Sequence, residues 1–133
     1  MYKVMDRNEI AALGASLRPI DQKLLKKDAS IERLWYQGEE SYFDVFFEIQ
    51  NSEIIWFQFT FRGKVLCWDK ENPVMQTGRT NELGTGDMGY YAASKLIKLD
   101  RKSDQSFIKL AHSILQTRAG EDIFDRVLKL FKD

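Results

Sequence analysis

One segment of the sequence gives the strongest indication of the fold: Glu53-Ile54-Ile55-Trp56-Phe57-Gln58-Phe59-Thr60-Phe61-Arg62. Aromatic and β-branched residues dominate it, and these residue types favour extended strands over helices. Large apolar side chains recur at every second position, which is the period of a strand with one buried face. The members of this apolar set are Ile55, Phe57, Phe59 and Phe61. In the preceding stretch Phe43, Val45, Phe47 and Ile49 alternate in the same way, so eight large apolar residues are predicted on one sheet face. The sequence therefore predicts a long strand in the middle of a sheet.

Similar stretches flank this strand on both sides. The predicted strands cover residues 31–37, 42–50, 53–62 and 65–68, with a short fifth strand at 74–77. Turn-forming residues separate them, including Gly38, the Asn51-Ser52 pair and Gly63. Because connections this short join neighbouring antiparallel strands, the pattern predicts a four- to five-stranded antiparallel meander sheet.

An N-terminal helix is predicted to begin at Asn8 and to end before Pro19, because proline cannot continue a helix. Its apolar face carries Ile10, Leu13 and Leu17. Gly14 lies inside this helix, where glycine costs about 1 kcal/mol relative to alanine. We therefore expect either a weak helix or a close packing contact that only glycine permits.

Helical spacing returns after the sheet. Residues 90–99 are predicted to form a short helix, and a longer one is capped by Ser103 or Asp104 and ends near Gly120. A final helix begins at Glu121 or Asp122 and carries an apolar face. These C-terminal helices are expected to pack on one face of the sheet, which gives the α+β fold class.

The composition is typical of a single domain spanning residues 1–133. Hydrophobic residues make up 44% of the chain, and twenty basic residues balance twenty acidic ones. Such a balance argues against nucleic acid and anionic membranes as partners. Cys67 is the only cysteine, which excludes an internal disulfide. No apolar segment has the length of a signal peptide or membrane span, so we expect a cytoplasmic protein.

No arrangement of residues has the pattern of a catalytic site, and binding is more consistent with the sequence than catalysis. Residues 84–89, Gly-Thr-Gly-Asp-Met-Gly, match the glycine fingerprint of dinucleotide-binding folds, but no strand or parallel βαβ unit is predicted around them. His112 is the only histidine and lies at the edge of an apolar helix stripe. We therefore predict no catalytic residues, no metal site and no cofactor.

One face of the predicted sheet mixes large apolar with charged side chains. Tyr42, Phe46, Ile54 and Trp56 are the apolar members, and they lie beside Asp44 and Glu48. Aromatic residues next to charged ones are typical of protein contact surfaces. The first hypothesis is therefore a non-enzymatic interaction protein, a homodimer or an adaptor, chaperone or immunity-type module, that binds its partner through these four residues.

The alternative hypothesis is a pocket for a small polar ligand, or a catalytic pocket, between the sheet and residues 76–89. Gln76, Arg79 and Asn81 are its candidate ligand-binding residues. Arg79 is the strongest anchor of the three, because a guanidinium pairs two oxygens at once. A third possibility is that the N-terminal helix covers the mixed sheet face and leaves no unusual surface there.

Overall fold

The computed structural model describes residues 5–20, 31–80 and 97–131. Within these ranges the fold is α+β, with three helices and one antiparallel sheet of seven strands in the spatial order β1 to β7. The helices are α1 (Arg7–Ser16), α2 (Gln105–Gln116) and α3 (Asp122–Lys129). The strands are β1 (Arg18–Pro19), β2 (Glu32–Gln37), β3 (Asp44–Gln50), β4 (Glu53–Phe61), β5 (Lys64–Asp69), β6 (Asn72–Thr80) and β7 (Ile97–Leu99).

The meander predicted from the short connections is confirmed. Each strand pairs with its neighbours in the chain, and every pairing is antiparallel. The turns after β3 and β4 use left-handed backbone at Asn51, Ser52, Arg62 and Gly63, with φ values of 52°, 66°, 51° and 81°. Two successive residues with positive φ match the right-handed twist of the strands that they connect.

The main core lies between the sheet and helices α2 and α3. Phe59 contacts Phe107 of α2 with ring centroids 5.9 Å apart, and Phe47 lies 6.2 Å from Phe124 of α3. Phe57 stacks on Phe47 at 5.7 Å. Because edge-to-face and offset aromatic pairs are favourable, these contacts hold both C-terminal helices on the same sheet face. We call this face the helix-side face.

Helix α1 packs against α2 and not on the opposite side of the sheet. Its N-cap is Asp6, which forms a reciprocal capping box with Glu9, so the helix begins earlier than the predicted Asn8. Arg118 donates hydrogen bonds to the carbonyls of Gly14 and Leu17, at 3.0 and 2.6 Å. The possibility that the N-terminal helix covers the mixed sheet face is therefore wrong.

Two edge strands account for most of the difference from the predicted sheet. β1 has two residues and β7 has three, which is too short for an alternating pattern to be visible in the sequence. β7 replaces the end of the helix predicted at 90–99, and residues 90–96 of that prediction lie outside the described part. β6 is longer than the predicted fifth strand and extends from Asn72 to Thr80.

A β-bulge in β4 places different residues on the two sheet faces than the predicted alternation does. Ile49 pairs with Ile54, while Glu48 pairs with Trp56, so Ile55 is the extra residue. Ile54, 6% exposed, therefore joins the helix-side core in place of Ile55. The other seven residues of the predicted apolar face belong to that core: Phe43, Val45, Phe47, Ile49, Phe57, Phe59 and Phe61.

Within the described residues, none of the helices has the length and apolar character required to cross a membrane.

Candidate functional site

The sheet face opposite the helices has its own buried row of side chains. Strand register aligns five residues across it: Trp35, Phe46, Gln58, Cys67 and Gln76. We call the face that carries this row the second face. The next row toward the β2–β3 turn contains Gln37, Asp44, Thr60, Val65 and Gly78.

The second face is not a solvated sheet surface. Phe46 is 1% exposed, Gln58 and Thr60 are 0% exposed, and Cys67 is 4% exposed. None of these residues belongs to the helix-side core. In an antiparallel sheet with one solvated face, the polar residues of that face are exposed to water. Here Gln58 and Thr60 are buried as deeply as Phe46. The second face therefore lines a distinct interior region.

Two indole nitrogens and two hydroxyl oxygens are among the buried atoms of this face that lack a hydrogen bond within the described residues. They are the indole nitrogens of Trp35 and Trp56 and the hydroxyl oxygens of Thr60 and Thr80. A buried polar group without a hydrogen bond costs about 1–3 kcal/mol, and native proteins contain few of them. Their concentration on one face makes the second face the candidate functional site.

Thr77 shows how a buried threonine is satisfied in the same sheet. It is 2% exposed and lies on the helix-side face of β6. Its hydroxyl donates to Asp100 Oδ2 at 2.6 Å and accepts from the Asp104 backbone N–H at 2.8 Å. The unsatisfied hydroxyl of Thr60 is therefore a property of the second face rather than of buried threonines in this fold.

An open cleft continues the second face at the end near the β3–β4 turn. It has a volume of about 290 Å³ and is lined by Glu48, Gln50, Ile55, Trp56, Asp69, Lys70 and Glu71. Arg33 pairs with Glu48 at 3.0 Å beside it. Lys70 Nζ lies 2.5 Å from Glu53. Trp56 thus forms a wall shared by the cleft and the buried second face.

The Cys67 thiol lies in the central row of the second face. Burial raises its pKa to about 12, because removal from water disfavours the charged thiolate. A thiol in this state is a small apolar side chain at neutral pH rather than a nucleophile. Cys67 therefore contributes apolar contact area to the site.

The four predicted partner-binding residues occupy different places. Phe46 and Trp56 share the second face, and Phe46 is buried there. Ile54 lies on the helix-side face because of the bulge. Tyr42 precedes β3 in a turn, is 38% exposed and has a φ of 59°. The continuous exposed patch drawn from strict alternation is therefore not formed by these four residues.

The predicted ligand-binding residues do not converge either. Gln76 lies on the second face, whereas Arg79 projects from the opposite face of β6 and is exposed. Asn81 lies outside the described residues, as do residues 84–89 with the glycine fingerprint. His112 contacts Phe131 on the helix side, with ring centroids 5.1 Å apart. Across the described ranges, no cluster of three or more His, Cys, Asp or Glu side chains is arranged to hold a metal.

Three residues of the second face are not among the site residues predicted from the sequence: Trp35, Thr60 and Thr80. The available signal was the alternation of β2 and β4, which places Trp35 and Thr60 on the face of Phe46 once the strand register is known. Comparisons of the chain with protein-family models, curated proteins and solved structures found no match.

Proposed function

We propose that this protein binds a small molecule carrying oxygen acceptors on the second face of its sheet. The observation that supports this function is the group of buried, unpartnered hydrogen-bonding atoms at Trp35, Trp56, Thr60 and Thr80. An indole N–H can only donate, so the two tryptophans require an acceptor. Pockets for small molecules typically combine an apolar lining with a few polar groups of this kind.

The charges of this face disfavour an anionic ligand, because the carboxylates of Asp44 and Glu48 both belong to it. Among the described residues of β2 to β6, Arg33 is the basic residue on the second face, and it forms an ion pair with Glu48. An anionic ligand would therefore have to compete with Glu48 for this guanidinium. Ketone, ester, amide, ether or hydroxyl oxygens satisfy indole and hydroxyl donors without adding a buried charge.

Thr60→Val tests the proposal because it should stabilise the ligand-free protein and at the same time weaken ligand binding. Valine removes an unsatisfied hydroxyl and keeps the shape, so the free energy of unfolding of the ligand-free protein should rise by about 1 kcal/mol. Binding should weaken by about five- to tenfold, because the ligand loses a hydrogen bond. Chemical unfolding measures the first effect, and thermal shifts with a panel of neutral oxygen-bearing compounds measure the second.

Thr77→Val is the matched control. It breaks two hydrogen bonds on the helix-side face, so it should lower stability by about 1–3 kcal/mol and leave the affinity for the same compounds unchanged. Native mass spectrometry of protein purified gently from its own host complements the panel by detecting a retained small molecule. Absence of both a bound mass and any compound-induced shift would count against the proposal.

The first hypothesis, a protein contact, retains support from Tyr42. A bulky side chain at positive φ is strained, and such residues concentrate at functional sites. Glycine or asparagine would occupy this turn position at lower cost. The second candidate function is therefore self-association or partner binding through the exposed ring of Tyr42 together with Trp56.

Tyr42→Gly should relieve the backbone strain at this position and remove the aromatic ring that is proposed to contact the partner. The free energy of unfolding should rise or stay level, because relief of about 1 kcal/mol of strain offsets the greater chain entropy of glycine. Self-association, measured by native mass spectrometry across a range of protein concentrations, should weaken. Arg62→Gly, at another positive-φ position, is the control and should leave assembly unchanged. A wild-type protein that is monomeric and unaccompanied throughout would exclude this second function.

A further inference from the structure

An additional cavity lies between the β3–β4 turn, the end of β5 and the end of helix α3. It has a volume of about 460 Å³, which is within the range of small-molecule pockets. Glu53 lines it at the turn, and Lys129 and Leu130 line it at the end of α3. Lys70 lines both this cavity and the cleft beside Trp56. We call the larger of the two the α3 cavity.

The floor of the α3 cavity is apolar and belongs to the helix side of the sheet. Ile54, Trp68 and Leu130 line it, and all three lie in the helix-side core or pack against it. The β4 bulge brings Ile54 to this side. Ile54 and Trp68 are 6% and 8% exposed, so they form the margin of the core rather than its sealed interior. A ligand in this cavity therefore gains apolar contact.

Three basic residues line the same cavity: Lys70, Arg126 and Lys129. Lys70 Nζ lies 2.5 Å from a carboxylate oxygen of Glu53, and Arg126 Nη2 lies 2.8 Å from one of Asp122. Lys129 forms no ion pair within the part of the chain that the structure describes. Three cations therefore meet two carboxylates, and one positive charge remains uncompensated beside an apolar floor.

Arg126 is held at the cavity and retains hydrogen-bond donors. Its Nη1 donates to the carbonyl oxygen of Ser52 at 3.0 Å, which ties α3 to the β3–β4 turn. A guanidinium has five N–H groups, so donors remain after the contacts with Ser52 and Asp122, and the ammonium of Lys129 has three more. A carboxylate matches these donors, because its two oxygens accept from several N–H groups and it carries one negative charge.

The end of α3 does not prevent an anion from binding. Lysine at the C-terminus of a helix is favourable for the helix dipole, so Lys129 alone would not indicate a ligand. The carbonyls of Val127 and Leu128 accept backbone hydrogen bonds from Leu130 and Phe131, at 2.9 and 3.2 Å. These carbonyls are therefore satisfied, which reduces their repulsion of an anion. The helix dipole accounts for neither the apolar floor nor the cavity.

We infer that the α3 cavity binds a monocarboxylate with an apolar body. The carboxylate pairs with Lys129 and Arg126, and the apolar body covers Ile54 and Trp68. A doubly charged anion would exceed the single uncompensated charge of the cavity. This site lies on the helix side of the sheet, so the inference stands independently of the ligand proposed for the second face.

Octanoate tests the inference, with octanol and octylamine as probes that have the same apolar chain and a different charge. Octanoate should bind about tenfold more tightly than octanol, because hydrogen bonds to a charged acceptor are stronger. Octylamine should bind most weakly, because its charge is repelled by the three basic residues. Ligand-detected NMR of the wild-type protein measures the affinities. Fluorescence of Trp35→Phe/Trp56→Phe, which retains Trp68 in the cavity floor, measures them at the site.

Two charge variants should change octanoate affinity in opposite directions. Lys129→Met keeps the apolar stem and removes the charge, so octanoate affinity should fall about five- to tenfold while octanol affinity stays level. Glu53→Gln removes the carboxylate that competes for Lys70, so octanoate affinity should rise about threefold. Lys109→Met is the matched control, because Lys109 is exposed on α2 and does not line the cavity. Its affinities should equal those of the wild type.

The outcomes separate this inference from the proposed function. Thr60→Val changes the second face, so it should leave octanoate affinity unchanged. A loss of octanoate affinity in Thr60→Val but not in Lys129→Met would place octanoate on the second face and overturn the inference. Absence of octanoate binding, or equal affinities for the three probes, also overturns it and leaves the second face untouched. An unchanged urea midpoint in Lys129→Met shows that its loss of affinity does not come from unfolding.

Discussion

Buried side chains in this protein differ in their hydrogen bonding and packing according to the sheet face on which they lie. Thr60 and Thr77 are both buried threonines of central strands, yet only Thr77 has both of its hydroxyl hydrogen bonds among the described residues. Phe46 and Phe47 are adjacent, and both are buried, on opposite sides of the sheet. The environment of a side chain here follows from strand register, which no single residue encodes.

Cys67 provides a prediction at the residue scale. With its pKa raised to about 12, the native thiol is almost entirely protonated at pH 8. The thiolate is the reactive species, so alkylation by iodoacetamide at pH 8 should be at least about 100-fold slower than in denaturant. Mass spectrometry of timed samples measures both rates. Comparable rates in the two states would show that Cys67 is accessible and that the second face is open.

Two elements of the fold depend on features that helix and strand propensities do not reveal. The bulge in β4 exchanges Ile54 and Ile55 between faces, because one extra residue reverses the alternation beyond it. In α1, a Cβ atom at Gly14 would lie 1.8 Å from Thr117 Oγ1 and 2.9 Å from the Ile114 carbonyl oxygen. The glycine that weakens α1 is therefore required by its contact with α2.

Gly14→Ala is the prediction at the element scale. Alanine gains about 1 kcal/mol of helix propensity, but the overlap with Thr117 and the backbone of α2 should cost more, giving a net loss of about 1–2 kcal/mol. Chemical unfolding measures the change. Combining Gly14→Ala with Thr117→Ala should recover part of the loss. An increase in stability in the single variant would contradict the close contact between the two helices.

At the scale of the whole molecule, Arg118 connects the two ends of the described chain. Its guanidinium donates to the carbonyls of Gly14 and Leu17, pairs with Glu121, and lies 4.9 Å from the centroid of the Phe124 ring. This cluster ties α1 to the segment between α2 and α3. With every strand bonded to its chain neighbours, the single domain predicted for residues 1–133 should unfold as one unit.

Cooperative unfolding is therefore the prediction for the whole molecule. Trp68 reports on the helix-side core, while Trp35 and Trp56 report on the second face. Two variants separate these reporters: Trp35→Phe/Trp56→Phe retains only Trp68, and Trp68→Phe retains Trp35 and Trp56. For each variant, the urea unfolding transition measured by tryptophan fluorescence should coincide with the one measured by far-UV circular dichroism. An earlier fluorescence transition in Trp68→Phe would mean that the second face opens independently of the main core.

Local spacing was sufficient to predict several elements before any tertiary contact was known. The alternation along β3 and β4 predicted the central strands and seven of the eight apolar residues that the segment from Phe43 to Phe61 contributes to the helix-side core. Cap and glycine signals predicted the start of α2 at Ser103 or Asp104 and that of α3 at Glu121 or Asp122, because these signals act within one helical turn. The N-caps are Asp104 and Glu121. The antiparallel meander followed from connections that are too short for any crossover.

The α+β class, the order of the central strands and the apolar face that the C-terminal helices cover all follow from the sequence, because periodicity and turn chemistry act over a few residues. Other features became visible only in the folded molecule: the short edge strands, the bulge at Ile55, the contact of α1 with α2 and the grouping of Trp35, Trp56 and Thr60 on one buried face. These features depend on strand register and on contacts between residues distant in the chain. Neither leaves a periodic signal within any one segment.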